Sequence, residues 1–404
     1  MRLTTVFNKL LCLQGAFVRA VKFGFEEIVV TVTPRKRLHR CPLCNFASHS
    51  GYDKRDHRRW RHVPLGRWRV FIEATLYRLE CPRHGVVTEA VQWAEHESRF
   101  TRDFEDVVAW LAREMNKTAV SRLVHIAWQT VGSIIARVVG RTLDDKRFDE
   151  LYVIGLDEVS YRKGHKYLSI VADHDTGDPV WIADGRSQAT VQQFFDKLGP
   201  ERTAQLQAVS MDMCAPYIAE VRAKAPQAQI AFDPFHVVKL ANEAVQEVRR
   251  SEARDRKDTP EAKVLKGARW TLLKAPEHLR PDEQLRLCDV ARLNRAVYRG
   301  YMLKEELRAL YSCSPETAAW HLDEWLAWAS RSRLRPFVKL ARTLRQYRDG
   351  VLAAIHLGLS NGRMEGLNNK VGVIKHRAYG FHSAAALIAM IFLCCTKLDV
   401  RLPI

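Results

Sequence analysis

Between Tyr152 and Arg249 the apolar residues switch repeatedly between the alternation of a strand and the 3.6-residue period of a helix, and few folds accept the resulting order. Tyr152–Leu156, Tyr167–Ala172 and Pro179–Ile182 are short β-branched or aromatic runs. The last two are separated by the turn sequence His174-Asp-Thr-Gly-Asp178, so the three predict an antiparallel meander. A helix over Thr190–Leu198, a strand over Ala208–Met211, a helix over Pro216–Lys224, a strand over Gln229–Phe232 and a helix over Pro234–Arg249 follow. The order β-β-β-α-β-α-β-α is the ribonuclease H-like arrangement. Its first and fourth strands are neighbours.

That adjacency gives two acids a meaning neither has alone. Asp157 follows Val153-Ile-Gly-Leu156 at the expected end of the first strand, and Asp212 follows Ala208-Val-Ser-Met211 at the end of the fourth. A lone Asp in such a place is ordinarily a turn or cap residue. Two side by side repel unless cations compensate them, and hard oxygen ligands select Mg²⁺ or Mn²⁺. A third acid, Glu365, lies in Ser360-Asn-Gly-Arg-Met-Glu365-Gly-Leu-Asn-Asn-Lys370, where Asn361 can cap a helix. Asn368 and Asn369 share its helix face, and Lys370, Lys375, His376 and Arg377 surround it with positive charge, which suits a site beside a phosphodiester. Asp233, in Phe232-Asp-Pro-Phe-His236, is read as a helix-start residue, with an accessory catalytic role as the alternative.

The N-terminal region carries a different chemistry. Cys41-Pro-Leu-Cys44 is followed after 36 residues by Cys81-Pro-Arg-His84, two knuckles with the spacing of a structural Zn²⁺ site. A hairpin of Trp60–Leu65 and Trp68–Leu79, turning at Gly66, would bring them together. His84 stands where a fourth Cys is commoner, and His39, His49 or His62 are alternatives. From Arg35 to Arg69 there are eleven Lys/Arg and two acids. Arg55, Arg58, Arg59, Arg61 and Arg67, interleaved with Trp60 and Trp68, suit phosphate neutralisation and stacking on sugars or bases. Phe104–Met115, Ala119–Ile126 and Gln129–Val139 then read as three short helices. They fit a helix-turn-helix domain with Gln129, Thr130, Ser133 and Arg137 facing DNA, although any three-helix bundle gives this pattern.

The formal charge of +18 favours a polyanionic partner, nucleic acid first and an anionic membrane second. The apolar run Ala384–Cys395 is shorter than the roughly 20 residues that span a bilayer, so it reads as a core helix holding Cys394 and Cys395 as small hydrophobes. Nine cysteines, with Cys12, Cys214, Cys288 and Cys313 scattered singly, do not make a secreted disulfide framework. No signal peptide is read around Arg2 and Leu10–Leu13, which places the protein in the cytoplasm, associated with the nucleoid. The whole reads as a multidomain α+β chain: a zinc-binding β-hairpin module over 1–95, a helix-turn-helix domain over 96–141 and a charged linker, Thr142–Glu150. A ribonuclease H-like core over 150–250 and 349–404 then flanks a helical insertion over 251–348, which holds Trp270, Trp320, Trp325 and Trp328.

The knuckles, Ile154-Gly-Leu-Asp157-Glu-Val-Ser160, Ser210-Met-Asp212-Met213, Phe232-Asp-Pro-Phe-His236, and Asn361-Gly-Arg-Met-Glu365-Gly-Leu-Asn-Asn-Lys370 with Tyr379-Gly-Phe381, resemble the ISL-three family of insertion-sequence transposases across nearly the whole chain. The resemblance implies that Asp157, Asp212 and Glu365 are the acidic triad of a DDE transposase and that the helix-turn-helix helps recognise terminal inverted repeats. Metal-dependent cleavage would free a 3′-hydroxyl that attacks target DNA, by in-line phosphoryl transfer with two ions about 4 Å apart. Two element ends must be held together, so double-stranded DNA and a homodimer or larger assembly are the expected partners, with no membrane. Where the family shows a second C-x-x-C, this chain has Cys81-x-x-His84. The alternatives are a zinc-dependent DNA-binding regulator with an inactive ribonuclease H-like domain, and a structure-specific nuclease without strand transfer. The presence of all three acids weighs against the first, and a two-part DNA-recognition region against the second.

Overall fold

The computed structural model describes residues 2–35, 38–162, 164, 166–359 and 362–402. Two compact units divide the chain: Met1–Asp144 with Arg377–Tyr379 and Ala389–Ile404, and Asp145–His376 with Gly380–Ile388.

The first unit opens with α1 (Leu3–Leu11), β1 (Ala16–Phe23) and β2 (Glu27–Pro34), then the two-residue strands β3 (His39–Arg40) and β4 (Ala47–Ser48). The long hairpin β5 (Asp53–Leu65) and β6 (Trp68–Cys81) and the short β7 (Gly85–Thr88) follow. The sheet order is β1-β2-β6-β5, with β7 also on β6. Leu65 faces Trp68 across the hairpin turn. Gly66 makes that turn at φ +57°, a left-handed conformation that costs glycine nothing. Alternate residues of β6, Val70, Ile72, Ala74 and Leu76, are buried with Val30 and Val32 of β2 and with Phe7 and Leu11 of α1, the two-residue period of a sheet covered on one face. Trp60 belongs to this core at 1% exposure, its ring edge-on to Trp93 at 5.6 Å. It therefore cannot stack on nucleic acid as expected. The helices α2 (Arg102–Glu114), α3 (Lys117–Val124) and α4 (Trp128–Thr142) lie where their apolar periodicity puts them. Thr101 caps α2 by accepting from the Phe104 amide, and Asn116 caps α3 by accepting from Ala119.

The second unit contains β8 (Val153–Arg162), β9 (Lys166–Asp173), β10 (Pro179–Asp184), α5 (Gln188–Leu198), α6 (Pro200–Thr203), β11 (Ala208–Met211), α7 (Ala215–Lys224), β12 (Gln229–Phe232) and α8 (Pro234–Asp255). Its sheet order is β10-β9-β8-β11-β12. β8, β9 and β10 form an antiparallel meander, and β11 pairs parallel with both β8 and β12. The first and fourth strands of the unit are neighbours, as the order of periods predicts. The helical stretch resolves into α9 (Pro260–Gly267), α10 (Arg269–Leu273), α11 (Pro281–Leu293), α12 (Arg295–Ala309), α13 (Pro315–Arg331) and α14 (Arg335–Gln346). Trp325 is buried there and donates its indole N–H to the Leu303 carbonyl at 2.7 Å, whereas Trp270 and Trp320 are exposed.

Three helices complete the chain: α15 (Arg348–His356), α16 (Gly362–Arg377) and α17 (Ala384–Cys395). In α17 Leu387, Ile391 and Leu393 are buried. Among the described residues no single helix is long and apolar enough to cross a membrane. α15 crosses β12 closely because Gly350 has no side chain. A Cβ there would stand 2.3 Å from the Phe232 ring and 3.1 Å from the Ile230 carbonyl oxygen. Gly350→Ala should therefore lower stability by about 1–3 kcal/mol through overpacking. Gly267→Ala, whose Cβ meets nothing within 4 Å, should leave it unchanged or slightly raised. Urea unfolding of the two variants checks the contrast, and equal midpoints would show that α15 does not need this close approach.

Candidate active site and cysteine–histidine cluster

The acids are placed by strand register. The last paired row of the parallel ladders is Leu156 of β8, Met211 of β11 and Phe232 of β12. Asp157, Asp212 and Asp233 each come one residue later, so three carboxylates stand in a row where the parallel pairing stops. Asp157 was expected at a strand end. β8 instead runs on to Arg162, because its antiparallel pairing with β9 outlasts its pairing with β11. What ends at Leu156 is one edge of the ladder only.

Asp233 is the N-cap of α8 and accepts from the Phe235 amide at 3.0 Å, which is the helix-start position read from the sequence. His236, in the first turn of α8, turns back toward the row: its Nδ1 is 2.7 Å from Asp212 Oδ2 and its Nε2 is 3.6 Å from Asp233 Oδ2. Ligand atoms of Asp157, Asp212 and His236 all lie within 4.8 Å of one another. His236 was quoted in a motif but given no role by the sequence reading. Its three-residue spacing from a capping Asp was the available signal.

α16 contributes the opposite wall. Met364 lies against Gly155, where a Cβ would come within 2.7 Å of its sulfur, and one turn later the Asn368 amide donates to Asp157 Oδ2. Glu365 and Asn368 line a cleft of about 260 Å³ with Asp157, Asp233 and His236. Glu365 is exposed and lies outside the tight group formed by Asp157, Asp212 and His236. The proposed cap, Asn361, falls outside the described residues. Lys370 is exposed, and Lys375 donates to the Ser160 carbonyl. Arg377 donates to the carbonyls of Ala112 and Arg113 at the end of α2, so its charge serves a helix C-terminus.

Electrostatics mark Asp157 as a disfavoured anion. Burial raises the Asp157 carboxyl above its ordinary value, hydrogen bonds from Asn368 and the Glu158 amide oppose the rise, and the charge of Asp212 adds to it. Burial pulls His236 down, but the hydrogen bond and charge of Asp212, with the charges of Asp233 and Asp157, outweigh it and leave the ring raised. The buried Asn368 Oδ1 has no hydrogen-bond partner among the described residues.

Cys41 and Cys44 sit between β3 and β4, while Cys81 and His84 sit at the turn from β6 to β7, where Gly85 adopts φ +66°. Cys44 Sγ is 3.6 Å from Cys81 Sγ, and His84 Nδ1 is 3.6 Å from Cys41 Sγ and 3.5 Å from Cys81 Sγ. Tetrahedral zinc with ordinary bond lengths requires separations of about 3.8 Å for S···S and about 3.6 Å for S···N. The donor set therefore fits that ion. Burial pushes the Cys81 thiol up, but the Arg83 amide, the His84 ring and the His84 amide bring it down to about 6. His84, and none of His39, His49 and His62, groups with the three cysteines; His39 is engaged by Glu89 and His62 by Thr101.

The expected DNA-facing residues divide. Gln129 and Ser133 are exposed on α4, with Thr130 half-buried beside them. Arg137 is tied to the fully buried Glu105 at 2.7 Å, which fastens α4 to α2. On the sheet Arg67 is exposed, and Arg58 donates to the Ser98 carbonyl. Arg61 donates to the His125 carbonyl, and Arg59 pairs with Glu27 at 3.0 Å while stacking on Phe71. The side chain of Arg55 lies outside those described, as do Lys36 and Arg37.

Sequence comparison agrees with this arrangement. A family described as Transposase matches residues 154–391, and the helix-turn-helix domain of transposase family ISL3 matches residues 89–139. The transposase for insertion sequence element IS1557 from Mycobacterium tuberculosis is 41% identical over 405 residues, covering 93% of this chain and 90% of the relative. The transposase for insertion sequence element IS1001 from Bordetella parapertussis is 31% identical over 377 residues, covering 91% and 92%. These matches make the chain a DNA-binding enzyme of the DDE transposase class. The chain belongs to the ISL3 family of insertion-sequence transposases, the family whose motifs its sequence carries.

The His236–Asp212 pair makes a direct prediction. A raised His pKa means that the folded state favours the charged ring, so the stabilisation is fully present below about pH 6.5, the unfolded value, and is lost as pH rises through the folded value. In metal-free protein the His236 ring resonances should titrate above pH 6.5. Asp212→Asn should bring the midpoint below it, because burial then acts unopposed by that partner. A midpoint indifferent to Asp212→Asn would overturn the pairing.

Proposed function

We propose that this transposase binds the terminal inverted repeats of its insertion sequence and cuts and joins DNA at the cleft lined by Asp157 and Glu365, with Asp212 completing an acidic triad. The observation that carries the reading is the register row, which sets Asp157 beside Asp212 one residue past Leu156 and Met211. The sheet order β10-β9-β8-β11-β12 supports a ribonuclease H-like core, interrupted by a helical insertion over residues 251–348. The donor set fits a divalent cation, because Asp157 is a buried carboxylate disfavoured as an anion and faces a second carboxylate. Mg²⁺ or Mn²⁺, when bound, neutralises charge on the phosphate and lowers the pKa of an attacking hydroxyl. Asn368 fixes one oxygen of Asp157 and the Glu158 amide fixes the other, so that carboxylate cannot rotate away. His236 orients Asp212, and Asp233 holds the first turn of α8 in which His236 sits.

The cluster of Cys41, Cys44, Cys81 and His84 holds Zn²⁺ as a structural ion in this reading. Residues 1–141 supply end recognition, with Arg67, Gln129 and Ser133 presented to DNA, and a homodimer or larger assembly brings two ends together. Removing a thiolate ligand should therefore loosen the first 90 or so residues, because ligation is part of the folding free energy of so small a module. Purified protein should contain about one zinc per chain by elemental analysis, and Cys41→Ser should lose it together with resistance to proteolysis in that region. Well under one zinc per chain in the wild type would refute the structural ion.

Catalysis and DNA affinity should separate. Asp157→Ala, Asp212→Ala and Glu365→Ala should each reduce Mg²⁺-dependent end cleavage by a factor of at least about 10³, the scale of losing transition-state charge stabilisation, while end binding stays within about twofold. Asp233→Ala should lose stability of about 1 kcal/mol as a cap. If a folded Asp233→Ala protein loses cleavage as completely as Asp157→Ala, the site contains four acids. A folded Asp157→Ala protein that cleaves at the wild-type rate refutes the proposed centre.

A further inference from the structure

The helix that opens at the acidic cleft does not end there. Beyond His236, Lys239, Gln246 and Arg250 recur along α8 on one stripe, with Arg249 beside it. With Arg269 of α10 they line a second open cleft of about 370 Å³. Four cations meet there and one carboxylate, Glu243, stands at the rim. Among the described residues Lys239, Arg249, Arg250 and Arg269 form no ion pair, whereas Arg256 on the same helix pairs with Glu252.

Two of these cations, Arg249 and Arg250, are held in place by neutral oxygens. Arg249 is only 8% exposed, and its guanidinium donates to Gln246 Oε1 at 2.8 Å and to the Leu265 carbonyl at 3.2 Å. Arg250 donates to the Gln246 carbonyl at 3.2 Å, and the Gln246 amide donates to the Arg269 carbonyl at 3.3 Å, which locks α10 against α8. A buried cation beside two like charges is costly, and an anion relieves that cost. Burial, followed by the charges of Arg269 and Arg250, pulls the Arg249 guanidinium down. Next to this cleft Trp270 is 63% exposed, with the Arg269 guanidinium 4.7 Å from its ring centre. An exposed indole beside arginines is a stacking platform for a base or sugar.

We infer that this stripe of α8, with Arg269 and Trp270, is a track for the sugar–phosphate backbone of the duplex whose scissile phosphate lies in the acidic cleft. The inference rests on the proposed centre. The occupant is that DNA because the track begins one helical turn from His236 on the same helix. The fourteen residues from His236 to Arg250 span about 21 Å, or roughly six base pairs of duplex.

The test uses full-length protein, a labelled duplex of about 40 base pairs carrying the element terminus with the cut site inside it, and duplexes trimmed by about six base pairs on either flank. Arg250→Gln with Arg269→Gln should weaken binding about tenfold or more near 0.1 M salt and reduce the salt slope by about two, for two lost phosphate contacts. Trp270→Ala, which removes an exposed side chain and leaves the fold intact, should weaken binding by about fivefold or more. Wild type should lose affinity when one particular flank is trimmed, and the double variant should be indifferent to that trim. Unchanged affinity and slope in the double variant, an unaffected Trp270→Ala protein, or a double variant as sensitive as wild type to both trims each overturns the track. Asp157→Ala, run in parallel, separates the two ideas: if it cleaves normally the proposed centre fails, whereas the track stands or falls on affinity alone.

Discussion

Two carboxylates that share a poorly solvated edge of a sheet cannot both be comfortable anions, and the second unit is arranged around that conflict. Asp157 is 7% exposed and faces Asp212 because Leu156 and Met211 are paired. Both faces of the sheet are covered here, and a one-residue slip would exchange Leu156 with Gly155, or Met211 with Ser210, between two buried faces. The protein offsets the repulsion partly with its own groups: Asn368 and the Glu158 amide on one carboxylate, His236 on the other. These neutral donors and one imidazole leave the row short of positive charge, which is the condition a divalent cation meets in the proposed site.

Holding that row requires close approach from both sides. Gly155 lets Met364 rest on β8, which brings the adjacent Glu365 and the following Asn368 to the cleft. Gly350 lets α15 rest on Phe232, the residue before Asp233. Both contacts exchange a missing side chain for position. An Ala at either glycine adds little volume, but it adds it where interiors have no slack. The N-cap at Asp233 then starts α8 at a fixed angle, and the first turn delivers His236 to Asp212.

Much of this was legible in the sequence, because periodicity is local. The meander, the two parallel strands, the three short helices and each of the two knuckles, Cys41–Cys44 and Cys81–His84, follow from patterns within a few residues of each other. What was not legible depended on partners distant in sequence. β8 outran its expected end because β9 pairs with it as far as Arg162. The β1–β2 pair was not foreseen at all, its alternating residues having no motif beside them. Trp60 looked like a stacking residue amid arginines, yet its ring completes the core with Trp93, 33 positions later. His236 carried a signal in its spacing from Asp233, but only the register of β11 shows that Asp212 is its partner.

The arginines teach the same lesson with a functional edge. A basic run counts charge, while function depends on charge left over once the fold has used what it needs. Arg59 is consumed by Glu27, and Arg137 and Arg141 by the buried Glu105. Neither carboxylate lies near its arginine in sequence, so a count of basic residues overstates the charge left for DNA. The cations of α8 and α10 are less conspicuous, being diluted by Glu243, Glu247 and Glu252. Those acids do not neutralise them: Glu252 pairs with Arg256, while Arg249 and Arg250 bind neutral oxygens and keep their full charge. A cation anchored by amides and carbonyls is fixed in position without having its field cancelled, which is the form in which charge is of use to a phosphate backbone.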